Sequence, residues 1–216
     1  MYKKKFFLIV FEGIEGSGKS FQAKKLFNSI KKRGIKALLT REPGGIKSAE
    51  IIRNVILKDY FRGNKKNEFD KYTDTLLYLA ARNEHIQKKI YPAFKKKKIL
   101  ICDRFIDSTI AYQVHGKGVS KSFIDNIHKY ILKGIKPDLT FVLKVNILKA
   151  LQRLKKRKKM NRYDNFSKDF YIKAQKAFLK IAKRNKNKYY VFDNSRDDNK
   201  IEKNILDTVL HKINYR

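Results

Sequence analysis

Short apolar runs recur along the chain at residues 6–11, 35–39, 99–102, 139–145 and 189–192, each of a length that suits a buried strand. Between them apolar residues return at three- and four-residue spacing, as in Phe123, Ile124, Ile127 and Ile131, or Phe170, Ala174, Phe178 and Ile181. That spacing puts one apolar stripe on a helix. Strands alternating with amphipathic helices predict an α/β fold with a mostly parallel sheet. Glycine and proline stand at the joints: Gly34 closes the first helix, Pro43-Gly44-Gly45 follows the second strand, and Gly134 with Pro137 precedes the fourth. The polar stretch 58–70 (KDYFRGNKKNEFD) reads as a surface excursion between two helices.

No shift in composition divides the 216 residues, so a single domain is expected. A 42% apolar share with 12% aromatics is enough to build a core. The lone cysteine, Cys102, cannot form an internal disulfide, and His85, His115, His128 and His211 lack the spacing of metal ligands, so no structural metal is expected. The opening MYKKKFFLIVF imitates a signal peptide, but its apolar run is six residues long and leads straight into a glycine motif. A first strand and a cytoplasmic protein are the expectation, with no membrane helix, since no span approaches about 20 apolar residues.

A formal charge of +33 would ordinarily suggest a nucleic-acid partner. The basic residues, however, are spread over nearly every segment and are mainly lysine, 41 against 12 arginines. With 24 Ile and 15 Asn beside 11 Ala and 10 Gly, the bias resembles AT-rich coding. The field would still attract polyanions, nucleotides among them, in a salt-dependent way.

Chemistry enters at Gly13-Ile14-Glu15-Gly16-Ser17-Gly18-Lys19-Ser20, which matches G-x-x-x-x-G-K-[ST] between a strand and a helix. Glycines turn backbone N–H groups toward a phosphate and the helix N-terminus adds positive potential. Lys19 would reach the β- and γ-phosphates of ATP, and Ser20 would ligate Mg²⁺. The third apolar run delivers Asp103 at its carboxyl end, where an open sheet binds ligands, so Asp103 is a second candidate for the Mg²⁺ shell and Arg104 for an oxyanion. Thr40-Arg41-Glu42-Pro43-Gly44-Gly45 suits either a loop that aims Arg41 at a second phosphate or an ordinary salt-bridged turn.

FEGIEGSGKS at 11–20, TREPGG at 40–45, LLYLAAR at 76–82, DRFIDSTIAYQ at 103–113, PDLTFVL at 137–143 and RLKKRKKMNRYD at 153–164 together resemble the thymidylate kinases, in family order and spacing. The resemblance implies a nucleoside monophosphate kinase fold, a five-stranded parallel sheet flanked by helices, and transfer of phosphate from ATP to dTMP. It also implies a homodimer, with candidate faces at residues 51–57 and 76–85. By the same resemblance Arg41 and Arg104 hold the dTMP phosphate, Tyr78 stacks on thymine and Arg82 bonds its edge. Thr109 and Gln113 line the base pocket, Glu15 accepts the sugar 3′-hydroxyl and Tyr163 packs on the deoxyribose. Asn161 and Asp164 stand where the family usually has acidic residues. Some family P-loops carry an arginine; this one has none, so Arg153, Arg157 and Arg162 in the basic lid, residues 153–164, are expected to close over ATP and supply the missing charge. The alternatives are a kinase for another deoxynucleotide or deoxynucleoside, and a P-loop ATPase stimulated by nucleic acid, although no nucleic-acid-binding module is recognisable.

Overall fold

The protein is described by a computed structural model covering residues 5–58, 60, 68–156, 166–196 and 200–213. Its strands are β1 (Phe7–Glu12), β2 (Ala37–Arg41), β3 (Ile99–Asp103), β4 (Leu139–Lys144) and β5 (Tyr189–Asp193). They form one parallel sheet in the order β2-β3-β1-β4-β5. The expected α/β class and five-stranded parallel sheet are both observed. The helices are α1 (Lys19–Lys32), α2 (Lys47–Leu57), α3 (Lys71–His85), α4 (Tyr91–Lys95), α5 (Ile106–Thr109), α6 (Lys121–Leu132), α7 (Ile147–Lys155), α8 (Lys168–Arg184) and α9 (Lys200–Lys212). Two π-helical segments, Ile86–Ile90 after α3 and Ile110–Gly116 after α5, continue those helices.

The central strand explains the layering. Every residue of β1 is buried, as a parallel strand covered on both faces requires. Its side chains alternate. Phe7, Ile9 and Phe11 pack with Ala23, Leu26 and Ile30 of α1 and Ile201, Ile205 and Val209 of α9. Leu8 and Val10 face the other way, toward Ile86, Ile90, Ala93 and Phe105. A third cluster seats α8, through Tyr171, Ala174 and Phe178, against Val142, Val145, Ala150 and Leu154.

Each strand lies within two residues of its expected span, and two of the differences have identifiable causes. β2 starts at Ala37 rather than Ile35, because the Ile35 N–H is still closing α1 on the Ile30 carbonyl while Gly34 adopts a left-handed φ of 73°. β4 stops at Lys144 because Gln175 brackets the Val145 N–H and C=O, both at 3.0 Å, taking that residue out of the ladder.

Register is what assembles the site. Asp103 is aligned with Phe11 on one side and Arg41 on the other. The segments that begin at Gly13, Glu42 and Arg104 therefore leave the sheet side by side at its carboxyl edge, where parallel α/β sheets bind ligands.

Candidate active site

The glycine motif wraps from β1 into α1. Gly18 is the N-cap of α1 with φ of 90°; it supplies no side-chain cap, and the first helical turn carries no acidic residue, which suits an anion at that end. A side chain at Gly13, φ 139°, would meet the Leu143 carbonyl at 2.5 Å, so glycine is needed for the loop to pass β4. Lys19 is buried beneath the loop, its Nζ donating to the Ile14 carbonyl at 2.6 Å. Burial, then the nearby Arg104, push its pKa down to about 7 against the opposing pull of Asp103, Glu15 and Glu12.

Asp103 and Ser20, each read from the sequence as a candidate for the Mg²⁺ shell, meet: the Ser20 hydroxyl donates to Asp103 Oδ2, while the buried Oδ1 has no hydrogen-bond partner. An unsatisfied buried carboxylate oxygen beside a serine hydroxyl is a donor set that fits Mg²⁺, which takes few protein ligands and completes its shell with water and phosphate. Among the described residues no group of three or more His, Cys, Asp or Glu could hold a metal.

Arg104 is one of the described non-glycine residues with positive φ, at 73°, a conformation that costs on the order of 1–3 kcal/mol and persists only when neighbours enforce it. Glu12 enforces it. Its Oε1 accepts the Phe105 and Ser108 N–H groups at 2.8 and 3.2 Å, and Oε2 accepts the Ser108 hydroxyl at 2.6 Å. Burial and Asp107 raise the Glu12 pKa to about 7. The guanidinium so positioned donates to the Gly13 carbonyl at 2.9 Å and Ser108 Oγ at 3.0 Å, pairs with Glu15 at 2.7 Å and lies over the Tyr112 ring. Burial opposes its charge, but Glu15 and Tyr112 outweigh this and raise its pKa. Glu15 is shared, accepting the Tyr112 hydroxyl at 2.5 Å; although burial raises its pKa, Arg104 and Lys19 prevail and hold it low.

Arg41 and Glu42 are neighbours in sequence but diverge, as successive residues at a strand end do. Arg41 forms a two-pronged pair with Glu50 of α2 at 3.1 and 2.9 Å, and Glu50 also accepts the Gly45 N–H at 2.8 Å. Glu42, joined to Pro43 by a cis bond, turns inward and meets Arg82 Nε at 2.7 Å and His85 Nδ1 at 2.9 Å. The rest of the Arg82 fork donates to Thr109 Oγ1 at 2.8 Å, His128 Nε2 at 2.9 Å and the Phe105 carbonyl at 2.8 Å. These contacts occupy four of its five N–H groups. His128 must then accept through Nε2, consistent with a pKa lowered to about 3 by burial and by Arg82.

A cleft of about 280 Å³ joins the two halves, and Glu15, Lys19, Ser20, Arg41, Tyr78, Arg82, Asp103, Arg104, Thr109 and Gln113 all line it. Arg153 lies on the far side of the P-loop, donating to the carbonyls of Gly16 at 2.9 Å and Asn194 at 3.1 Å. Arg157, Arg162 and Tyr163 fall outside the described residues.

Arg53, Tyr112 and Leu57 also line the cleft and were not singled out by sequence reasoning. Tyr112 had a visible signal, since it belongs to the DRFIDSTIAYQ stretch. Arg53 had none; it reaches the site because α2 folds back and its Nη1 donates to the Pro43 carbonyl at 2.7 Å. The histidines that looked scattered include two, His85 and His128, gathered on the buried Glu42–Arg82 pair.

The sequence model of the family described as Thymidylate kinase matches residues 11–205. The chain belongs to the thymidylate kinase family. It is similar to the thymidylate kinase of Wolbachia pipientis subsp. Culex pipiens, 42% identical over 94% of this chain and 96% of the relative. Its similarity to the thymidylate kinase of a Geobacillus species is 38% over 95% and 97% of the two chains. The crystal structure of thymidylate kinase from Ehrlichia chaffeensis superposes with a TM-score of 0.74 at 32% identity, covering 95% of this chain and 99% of that one. Like those family members, this chain is an enzyme with the P-loop kinase fold.

Proposed function

We propose that the protein phosphorylates dTMP to dTDP with ATP and Mg²⁺, acting as one domain over residues 1–216 with a lid at about 153–164. The observation that carries this reading is a cleft in which a P-loop lysine and an Asp–Ser pair face arginines and an aromatic ring. It contains a site for a polyphosphate and, opposite it, a site for a second phosphorylated molecule with a flat base.

In this reading Gly13, Ile14, Glu15, Gly16, Ser17, Gly18, Lys19 and Ser20 cradle the ATP phosphates. Arg41 and Arg104 draw the dTMP phosphate toward them. Tyr78 stacks on the base, while Arg82, Thr109 and Gln113 offer it polar contacts. Glu15, held by Arg104 and Tyr112, accepts the 3′-hydroxyl of the sugar. Mg²⁺ held by Ser20 and Asp103 would neutralise charge on the β- and γ-phosphates. An oxygen of the dTMP phosphate attacks the γ-phosphorus as the bond to the β–γ bridging oxygen breaks, leaving ADP and dTDP. The protein contributes alignment and positive charge, from Lys19 and from lid residues Arg157 and Arg162.

Ile51 on α2 and Leu76 on α3 are exposed apolar residues on helices that pack together, which supports a homodimer through that face. No described helix is long and apolar enough to cross a membrane, and action in the cytoplasm is part of this proposal. The test is a coupled assay with ATP and Mg²⁺ offering dTMP, dUMP, UMP, CMP or thymidine. Turnover is expected to be highest with dTMP and unaffected by added DNA or RNA; preference for thymidine or a ribonucleotide would reject the proposal.

A further inference from the structure

A P-loop binds phosphate only if its peptide planes are turned the right way. In a planar trans peptide the carbonyl of one residue and the N–H of the next point in opposite directions. A donor that captures the carbonyl therefore aims the N–H. Four carbonyls of this loop are captured: Gly13 by Arg104 at 2.9 Å, Ile14 by Lys19 at 2.6 Å, Gly16 by Arg153 at 2.9 Å and Ser17 by Asn194 Nδ2 at 2.7 Å.

Two of these donors stand outside the phosphate motif, behind it. Asn194 follows β5 and is buried, its own N–H tied to the Lys144 carbonyl at 2.7 Å, so the end of β4 fixes its backbone. Its carboxamide lies so close over Gly18 that a Cβ there would collide with Nδ2. Arg153 bridges the Gly16 and Asn194 carbonyls and so ties α7, which leads into the lid residues, to both. Ala150 of the same helix packs on Gly16, where a Cβ would meet its carbonyl oxygen at 2.6 Å.

We infer that Asn194 is a positioning residue of the donor site: with Arg153 it locks the Gly16–Ser17 and Ser17–Gly18 peptides, aiming the Gly18 N–H away from β5 for a nucleotide polyphosphate. Neither residue's hydrogen bond to the loop involves the acceptor side of the cleft. Their loss weakens donor nucleotide binding and leaves dTMP binding intact. The inference rests on reading the P-loop as the nucleotide-donor site.

Direct binding tests it independently of turnover. Isothermal titration of Asn194→Ala with ADP in Mg²⁺ buffer is expected to show roughly a tenfold weaker Kd, the size of one lost hydrogen bond plus an unsatisfied carbonyl, with the dTMP Kd within about twofold of wild type. Asn194→Asp keeps the shape, removes the donor and adds a negative charge beside the loop, so its ADP affinity falls further. Arg153→Ala provides the same signature from the α7 side and serves if the Asn194 variants fold poorly, with thermal melts reporting folding. Equal weakening of ADP and dTMP, or unchanged ADP affinity in folded Asn194→Ala and Arg153→Ala, overturns the inference. Wild-type protein that binds ADP but does not phosphorylate dTMP would instead overturn the assigned reaction and leave the inference standing.

Discussion

The two ends of the cleft are built in opposite ways. The P-loop end is mostly one continuous stretch, residues 13–20, whose carbonyls are held by Arg104 from the cleft side and by Arg153 and Asn194 from behind. The opposite end is a buried knot of side chains, in which Glu42, Arg82, His85, Thr109 and His128 come from segments up to 86 positions apart, as counted from Glu42 to His128. Backbone recognition tolerates changes behind it at a cost in affinity. A buried charge network does not, because removing one member strands another charge without water.

The contrast predicts that damage at the P-loop end appears in turnover and donor affinity, and damage at the opposite end in stability. The largest expected effect is at the lid: Arg157→Ala or Arg162→Ala should lower turnover by on the order of 10³-fold if either serves as an arginine finger, with thermal melts nearly unchanged. Wild-type turnover in both variants would remove the lid from the mechanism. Next comes Arg82→Ala, which leaves Glu42 buried and partnered only by His85; about 3–5 kcal/mol of destabilisation should appear in urea unfolding. A stable Arg82→Ala whose sole defect is a raised dTMP KM would show that the knot is dispensable and erase the distinction.

Glu15→Ala sharpens the boundary, because Glu15 belongs to both ends through Arg104 and Tyr112. It should raise the KM for dTMP by roughly tenfold, the scale of a lost charge-assisted hydrogen bond, while changing the KM for ATP less. Equal changes would assign Glu15 to the donor side instead.

The smallest effects are in the pH dependence of stability, and there the two ends carry opposite signs. Glu12, raised to about 7, keeps a proton in the folded state that the unfolded chain releases above about 4.5, so its contribution falls as pH rises through that window. His128, lowered to about 3, stays neutral when folded while the unfolded imidazole charges below about 6.5, so its contribution falls as pH drops from 6.5. Glu12→Gln should flatten the decline on the neutral side and His128→Asn the decline on the acid side, each by up to about 1.4 kcal/mol per pH unit. Urea titrations between pH 4.5 and 7.5 measure both slopes; identical slopes in wild type and variants would refute the assignments.

Legibility followed the same division. The strand pattern, the P-loop with Ser20, and Asp103 at the end of its strand were readable because each depends on residues close in the chain or on the alternation of one strand; that Ser20 and Asp103 meet, 83 positions apart, was not. The TREPGG turn was readable only as a motif. Which partner Arg41 takes was not, since both candidate arrangements use the same residues, and the answer is Glu50, brought across from α2. The role of Glu12 was hidden because a carboxylate at the end of an apolar strand looks like a surface residue until the turn at 104–108 folds over it.

The sequence by itself determined the fold class and the phosphate motif, because helical and strand periodicities and glycine's backbone freedom act over a few residues. It also carried the family resemblance, whose motifs occur in a set order along the chain. Only the tertiary structure decided which charges neutralise which, Arg41 with Glu50, Arg82 with Glu42 and Arg104 with Glu15, and that Arg153 and Asn194 donate to carbonyls at the back of the P-loop. Ion pairs and buried hydrogen bonds depend on distances of about 3 Å and on exclusion of water. Those conditions exist only once the sheet register has brought distant segments to one edge.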